Sequence, residues 1–268
     1  MNKGEWNGKR LISRDYMEAA VSRRIDSSFT RNDSELQYGY GYQIWRIRNG
    51  GFAFNGMGSQ LALCVPEHDI ILCVTADCQA LNNATDNIIG AYFRLIETIK
   101  SSALPDNKDA QTALTEKISA LSIPLPQGEK ITGNAALYSG RRYAMEENEM
   151  GLKFMSFDIK PEKCVLNYEN KTGAHSITLG MGEYTAQKFP EKYFGMTIGI
   201  KDTQYDSIAA GAWQSGDALT GAVYAIDDHI GSIKMLLSFS ENSLSVYMRS
   251  DAEWFFSEFN GFATGYLC

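Results

Sequence analysis

Histidines, cysteines and acidic pairs are the side chains of this sequence that could bind a metal or transfer a proton. The histidines are His68, His175 and His229, and no two of them lie one helical turn apart, as a helical metal site would require. Asp227 and Asp228 are adjacent, and adjacent residues of a strand point to opposite faces, so these carboxylates would not converge on a substrate. The sequence therefore predicts no metal site and no cofactor.

The cysteines are odd in number and contain no Cys-x-x-Cys pair, which argues against zinc and against a disulfide framework. They are Cys64, Cys73, Cys78, Cys164 and Cys268. If Pro66–Asp69 forms a turn, Cys64 faces Ile71 and Cys73 faces Ala62, so this pair would not bridge. We expect all five to be reduced and mostly buried.

The segment from Gly51 to Asp77 has the most informative local pattern. Two apolar runs, 60–65 and 70–76, flank the polar residues from Pro66 to Asp69, which predicts a hairpin of short buried strands. Gly56 and Gly58 precede the hairpin and allow the backbone to pass close to a ligand or to another strand.

Composition limits the classes of partner. The chain has 268 residues, 44% of them hydrophobic, so a sizeable core can form. Its net charge of −7 argues against nucleic acid and against an anionic membrane surface. There is no apolar run of about 18 residues, so no membrane span is expected. The first residues lack the apolar core of a secretion signal, which makes the cytoplasm the default location.

The first domain is expected to cover residues 1–101. Ser13 is a good N-cap for a helix over 14–25. Aromatic residues alternate with small ones over 38–45, which predicts a strand whose aromatic row packs on a helix; a stacking platform in a cleft is the alternative. Apolar residues at helical spacing over 84–100 predict a helix that packs on the sheet.

A proline-containing linker, 102–127, with a short helix over 109–121, leads to a domain of a different kind over 128–268. Short alternating runs separated by turn residues recur there, which predicts an antiparallel barrel or sandwich. The runs are 152–159, 163–168, 175–179, 218–226, 233–239 and 244–248. Aromatic residues are frequent, and they favour a filled core over a cavity that holds a small ligand.

The chain resembles a known family over roughly residues 4–100. The segments GEWNGKRLIS, YGYGYQIW and GFAFNGMGSQLALCVPEHDIILCVTAD are similar, in this order, to the C-terminal part of serine β-lactamases and penicillin-binding proteins, in the class C and esterase-like branch. The run ALYSGRRYAMEENEMGLKFMSFDI resembles the start of a lipocalin-like β domain that follows in some relatives. The resemblance implies an α+β protein: a partial α/β unit, with an antiparallel sheet and flanking helices, followed by an antiparallel β-barrel.

The family's chemistry uses a Ser-x-x-Lys turn, a Tyr-x-Asn element and a strand with Lys/His-Thr/Ser-Gly. The chain contains no Ser-x-x-Lys and begins at Met1 inside the later part of the domain, so no complete catalytic set is expected. The third element falls on Phe54-Asn55-Gly56. Phe54 replaces the cation, Asn55 keeps a hydrogen-bonding group, Gly56 is retained, and the N–H of Met57 is the candidate oxyanion donor.

Two further matches lie side by side in the second domain. Tyr168-Glu169-Asn170 has the form Tyr-x-Asn, and Lys171-Thr172-Gly173 has the form Lys-Thr-Gly. In the family these motifs come from distant segments, whereas here they join two apolar strands. We expect a hairpin turn.

The functional expectation is the C-terminal part of a serine hydrolase that is inactive by itself. One alternative is a binding module whose β domain holds a small apolar molecule or a glycan. Another is a subunit that assembles with the missing N-terminal part or with a second copy of itself, because a partial unit would leave one apolar face of its sheet uncovered.

Overall fold

The computed structural model describes residues 2–29, 34–79, 81–100, 102–192, 204–252 and 256–268. The chain divides into two compact units, Met1–Lys108 and Asp109–Cys268. The domain limits expected from the sequence, at 101 and 128, stay a prediction. Within the described ranges, no helix is both long enough and apolar enough to cross a membrane.

The first unit contains two small β elements and two helices. Its elements are β1 (Glu5–Trp6), β2 (Lys9–Arg10), α1 (Arg14–Ala20), β3 (Trp45–Arg46), β4 (Phe52–Gly56), β5 (Gln60–Val65), β6 (Ile70–Val74) and α2 (Ala84–Ile96). Strands β1 and β2 form a hairpin, and β3-β4-β5-β6 form an antiparallel sheet in that order. A third helix, α3 (Lys108–Ser119), follows and contains no buried residue.

The hairpin expected at residues 60–76 is confirmed. Strands β5 and β6 pair with Cys64 opposite Ile71 and Cys73 opposite Ala62, the register that a turn at Pro66–Asp69 requires. Helix α2 covers one face of the sheet, as its apolar spacing predicts: Ile89 and Leu63 are both fully buried in the cluster between them. Burying one such side chain stabilises the fold by about 1.5–3 kcal/mol.

Helix α1 begins where the sequence predicts and ends earlier. The Ser13 side chain accepts the N–H of Tyr16, which is the expected N-cap. The helix stops at Ala20 rather than at Ile25. The N–H of Ile25 bonds the carbonyl of Tyr40 at 2.9 Å, so this backbone pairs with a neighbouring segment instead of continuing the helical ladder.

The prediction of an aromatic strand over 38–45 is wrong. Tyr40 forms isolated bridges with both Ile25 and Trp45, and Gln43 between them has a φ of 58°. An extended strand has no residue in the left-handed region, so the positive φ of Gln43 shows that the segment turns back on itself there. Only Trp45–Arg46 is a strand, and Tyr38 and Tyr42 are exposed rather than packed as a row against a helix.

The second unit begins within α3 and, over its described residues, continues with one further short α-helix and a β-barrel. Its elements are α4 (Ala135–Tyr138), β7 (Arg142–Met145), β8 (Phe154–Lys160), β9 (Lys163–Asn170), β10 (Gly173–Met181), β11 (Thr185–Lys188), β12 (Asp206–Ser215), β13 (Ala218–Ala225), β14 (Ser232–Phe239), β15 (Ser243–Asp251) and β16 (Gly261–Leu267). The six strands expected from alternation are confirmed as β8, β9, β10, β13, β14 and β15.

The barrel closes through a parallel pair. Neighbours in the order β10-β9-β8-β7-β16-β15-β14-β13-β12 are antiparallel, and β10 meets β12 through Gly180–Ala210 and Met181–Gly211. Nine strands in a ring cannot all alternate in direction, so one pair must run parallel. Strand β11 pairs with the other part of the same edge of β12.

The described interior of the barrel is filled, as the aromatic content favours. Phe239, the last residue of β14, is buried among aromatic rings, with ring centroids 4.8 Å from Tyr138, 5.0 Å from Phe157 and 5.6 Å from Trp213. A void of about 10 Å³ remains nearer the other end, lined by Leu166, Met248 and neighbouring apolar side chains, and it has room for no more than one water molecule. Trp254 and Phe255 lie outside the described residues.

Candidate functional site

The strand expected to carry remnants of a substrate site lies at the wall of an open cavity. Phe54, Asn55 and Gly56 form the end of β4 and, with residues of β5 and β6, line a volume of about 630 Å³. Met57 follows in a 3₁₀ turn and is exposed, and the described lining does not include it. Three of the four residues predicted for the substrate site, all except Met57, thus line one cavity.

This cavity lacks the groups that acyl transfer requires. Its described lining has Tyr40, Cys73 and Thr75 as the side chains that could act as nucleophiles, and it contains no histidine, lysine or carboxylate that could serve as their base. Ser59, in the adjoining turn, pairs with the Thr85 hydroxyl at 3.1 Å. The geometry therefore offers an open surface rather than an activated nucleophile.

The cysteines are free thiols, but the expectation that most are buried is only partly right. Cys64 and Cys164 are buried, whereas Cys73 and Cys268 are exposed. Burial raises the pKa of the Cys164 thiol to about 12. Across the described ranges, no three His, Cys, Asp or Glu side chains come together as a metal site would need.

The face of the sheet that α2 leaves uncovered is apolar. Strand alternation places Phe54 and Ile71 on this face, and they are 46% and 53% exposed. Ala20 of α1 covers only the part near Phe52 and Cys64. Part of this face is therefore apolar and exposed among the described residues, while the partial unit for which such a face was expected stays a prediction.

A larger groove lies on the same face. It has a volume of about 780 Å³ and is bounded by the β1–β2 hairpin, α1, β3, the start of β4 and the β5–β6 turn. Its apolar wall consists of Trp6, Met17, Val21, Phe52 and Ile71. We call this site the α1 groove. Its volume falls within the range of about 300–1,000 Å³ that is usual for small-molecule sites.

Most charges at the rim of the α1 groove are paired. Lys3 bonds Glu18 at 3.1 Å, and Glu5 bonds Arg10 at 3.0 Å. Arg46 differs: its Nη1 donates to the carbonyl of Val21 at 3.0 Å, but no ion pair of Arg46 occurs among the described residues. Burial lowers the pKa of the Arg46 guanidinium, as expected for a half-buried cation without a carboxylate partner.

A polar cluster lies at one end of the barrel, around the β9–β10 turn. Its centre is the buried carboxylate of Glu191, which accepts hydrogen bonds from Tyr168 at 2.8 Å, Asn170 at 2.9 Å and Thr172 at 2.8 Å. The expected turn is confirmed, since Asn170 pairs with Gly173 across two residues. The role of this turn was not predicted, although the polar residues at 168, 170 and 172 alternate, so that all three can reach one partner.

The polar cluster does not have the geometry of a catalytic triad. In a triad the two ring nitrogens of histidine contact the nucleophile and the carboxylate separately. Here Nε2 of His175 lies 2.7 Å from the Thr172 hydroxyl and also 3.9 Å from Glu191, so the same nitrogen is next to both groups. The hydroxyl has a single proton, and Glu191 and Asn170 compete for it. These hydrogen bonds hold the β9–β10 turn against the carboxylate of Glu191.

No family model matches the chain, and no curated protein matches it. Among solved structures, the fatty-acid-binding protein isolated from Manduca sexta matches with a TM-score of 0.31 and 12% sequence identity. The match covers 48% of this chain and 98% of that protein. The comparisons lend no support to the β-lactamase-like part, which stays a prediction.

Proposed function

We propose that this protein binds a small, largely apolar molecule in the α1 groove of its first unit, without chemical conversion. The observation that carries the proposal is the groove itself, a volume of about 780 Å³ whose wall is mostly apolar. Pockets of this size, with apolar walls and few polar groups, are the usual form of small-molecule sites.

The α1 groove is preferred to the barrel as the binding site because of the space that each offers. The apolar void inside the barrel measures about 10 Å³, and Leu166 and Met248 in its wall are already buried. At the groove, by contrast, Trp6 is 63% exposed and Ile71 is 53% exposed. A ligand that covers these two side chains removes apolar surface from water, which favours binding by roughly 25 cal/mol for each Å².

A binding role also fits the residues at the end of β4 better than hydrolysis does. The described lining of their cavity contains no lysine, histidine or carboxylate that could act as a base, and the sequence contains no Ser-x-x-Lys. Descent of the first unit from a serine β-lactamase-like scaffold remains part of the proposal, supported by the ordered segments between residues 4 and 100. On this proposal the first unit keeps the fold of a β-lactamase-like protein but has no hydrolytic activity.

The test uses the neutral fluorescent probe N-phenylnaphthylamine. We expect saturable binding, and we expect Ile71→Asp to weaken it by about tenfold or more, because a charge replaces an apolar wall (tenfold corresponds to about 1.4 kcal/mol). Leu95→Asp is the matched control, since Leu95 is 61% exposed on α2 and lies outside the groove lining. This variant should bind as the unchanged protein does.

Two outcomes would overturn the proposal. One is probe binding that is absent or is equal in the Ile71→Asp and Leu95→Asp variants. The other is a light-scattering mass of the unchanged protein that equals a dimer, together with a monomer mass for Ile71→Asp. That result would make this face an interface between copies of the chain.

A further inference from the structure

We infer that the ligand of the α1 groove is an amphiphile with a single carboxylate head, and that Arg46 receives this head. The inference rests on the proposed function and adds to it the chemical class of the ligand and the residue that selects it.

The first step concerns the unused hydrogen-bonding capacity of Arg46. A guanidinium has five N–H donors, and the described hydrogen bonds of Arg46 use one of its nitrogens, on the carbonyl of Val21. Its planar fork matches the two oxygens of a carboxylate, which can accept two parallel hydrogen bonds. A half-buried cation without an anionic partner gains more from such a ligand than an exposed one does.

The second step concerns the other charges of the groove. Glu18 is neutralised by Lys3 at 3.1 Å and by Arg14 at 3.9 Å, and Glu5 is neutralised by Arg10. Asp69 also lines the groove, but it is exposed at the β5–β6 turn, where water screens its charge. Among the described residues, the half-buried charge of the groove that lacks a counter-ion is therefore positive.

The third step concerns the position of the cation relative to the apolar wall. Arg46 pairs with Phe52 across β3 and β4, and both line the groove together with Val21 and Ile71. A ligand whose head bonds Arg46 would therefore have apolar side chains beside its body. An amphiphile can bind both Arg46 and the apolar wall, whereas a small inorganic anion would bind only Arg46.

Arg46 also has a structural role, because it bonds the carbonyl of Val21 at the C-cap of α1. This role predicts a loss of stability in variants but no preference among ligand head groups. The comparison of head groups on the unchanged protein therefore separates the two roles without any substitution.

The experiment is isothermal titration with decanoate, decanol and decyltrimethylammonium, each below its micelle concentration. We expect decanoate to bind about tenfold or more tightly than decanol, because charge-assisted hydrogen bonds contribute more binding free energy than neutral ones, by about the amount that a tenfold change in affinity requires. The cationic probe should bind most weakly. Added salt should weaken decanoate binding and leave decanol binding nearly unchanged.

Variants then identify the residue. Arg46→Gln should bring decanoate and decanol to within about twofold of each other, and Arg46→Lys should keep part of the preference because it keeps the charge. Arg94→Gln, at an exposed arginine of α2 that does not line the groove, is the matched control and should keep the full preference. If Arg46→Gln does not fold, the head-group and salt comparisons on the unchanged protein decide.

The outcomes distinguish this inference from the function on which it rests. Equal binding of decanoate and decanol, with both lost in Ile71→Asp, overturns the role of Arg46 and leaves the apolar site standing. A decanoate preference that survives in a folded Arg46→Gln variant also overturns it. Failure of all three probes to bind overturns the proposed function together with the inference.

Discussion

The phenol of Tyr168 donates a 2.8 Å hydrogen bond to Oε1 of Glu191, and both groups are buried at one end of the barrel. Burial, followed by the neighbouring carboxylate, raises the pKa of Tyr168 far above its ordinary value, which keeps the phenol a donor. Glu191 follows Phe189 and Pro190, so this bond and those from Asn170 and Thr172 tie the chain after β11 to the β9–β10 turn.

Glu191→Ala should lower the free energy of unfolding by about 1–3 kcal/mol, because buried donors on Tyr168 and Asn170 would lose their acceptor. Glu191→Gln should lower it less, since one acceptor oxygen remains. Glu162→Ala, at an exposed turn, is the control and should stay within about 0.5 kcal/mol. Urea unfolding measures all three, and equal stability of Glu191→Ala and Glu162→Ala would show that the cluster is not stabilising.

Periodicity predicts the elements whose neighbours are close in sequence. The β5–β6 hairpin, the N-cap at Ser13 and the helix predicted over 84–100 all follow from local pattern, and the structure has each of them, with the helix ending at Ile96. The six alternating strands of the barrel follow in the same way, because one face of each strand packs into a single core.

Elements that depend on distant partners could not be predicted in this way. The end of α1 is set by the pairing of Ile25 with Tyr40, and the Tyr40 segment turns because of contacts on both sides of it. The partners of Glu191 lie 19 to 23 residues away, so no local pattern connects them. The α1 groove likewise combines Trp6, Arg46 and Ile71, which only the fold brings together.

The titration of Tyr138 should contribute to a fall in stability as the pH rises above about 10. Burial and the hydrogen bond to Asp217 raise the pKa of Tyr138 from 10.0 to about 12 in the folded state. Between these values the unfolded chain has lost the phenolic proton and the folded chain still holds it, so the unfolded state is favoured as pH increases. The stabilising contribution is fully present below pH 10 and is lost by about pH 12.

Urea midpoints at a series of pH values test the titration of Tyr138, and Tyr138→Phe should make the decline above pH 10 less steep without removing it, because Tyr168 also has a raised pKa. Tyr266→Phe, at an exposed tyrosine, should leave the decline unchanged. A decline of the same slope in Tyr138→Phe would assign the effect to other groups.

Thiol labelling of the native protein should separate the cysteines into fast and slow groups. Cys73 and Cys268 are exposed and should react with dithionitrobenzoate within the first phase. Cys164 is buried and its pKa is raised to about 12, so it has almost no thiolate at neutral pH and should react only after unfolding.

A Cys73→Ser, Cys268→Ser double variant should lose the fast phase, and mass spectrometry of peptides locates each label. Labelling of Cys164 at the rate of Cys268 in the native protein would contradict the packing of β9 against the barrel core, since Cys164 is fully buried there.

Purified protein should form no covalent adduct with a fluorescent penicillin or with a phosphonate. Both reagents need a hydroxyl activated by an adjacent base. At the end of β4 the described cavity lining contains Cys73 and Thr75 but no lysine, histidine or carboxylate. The hydroxyl of Thr172 is also unsuited, because Nε2 of His175 is adjacent to both Thr172 and Glu191, and no carboxylate of the described residues pairs with the other ring nitrogen.

Intact-mass spectrometry after incubation measures adduct formation, with an active serine β-lactamase as the positive control for the reagents. The mass of this protein should stay unchanged while the control is labelled. One adduct per chain, located on a serine, would instead reveal an activated hydroxyl and restore the hydrolase as the leading function. Labelling that disappears in Cys73→Ser would mean only that the reagent had reached an exposed thiol, because Cys73 lies in the open cavity without a base beside it.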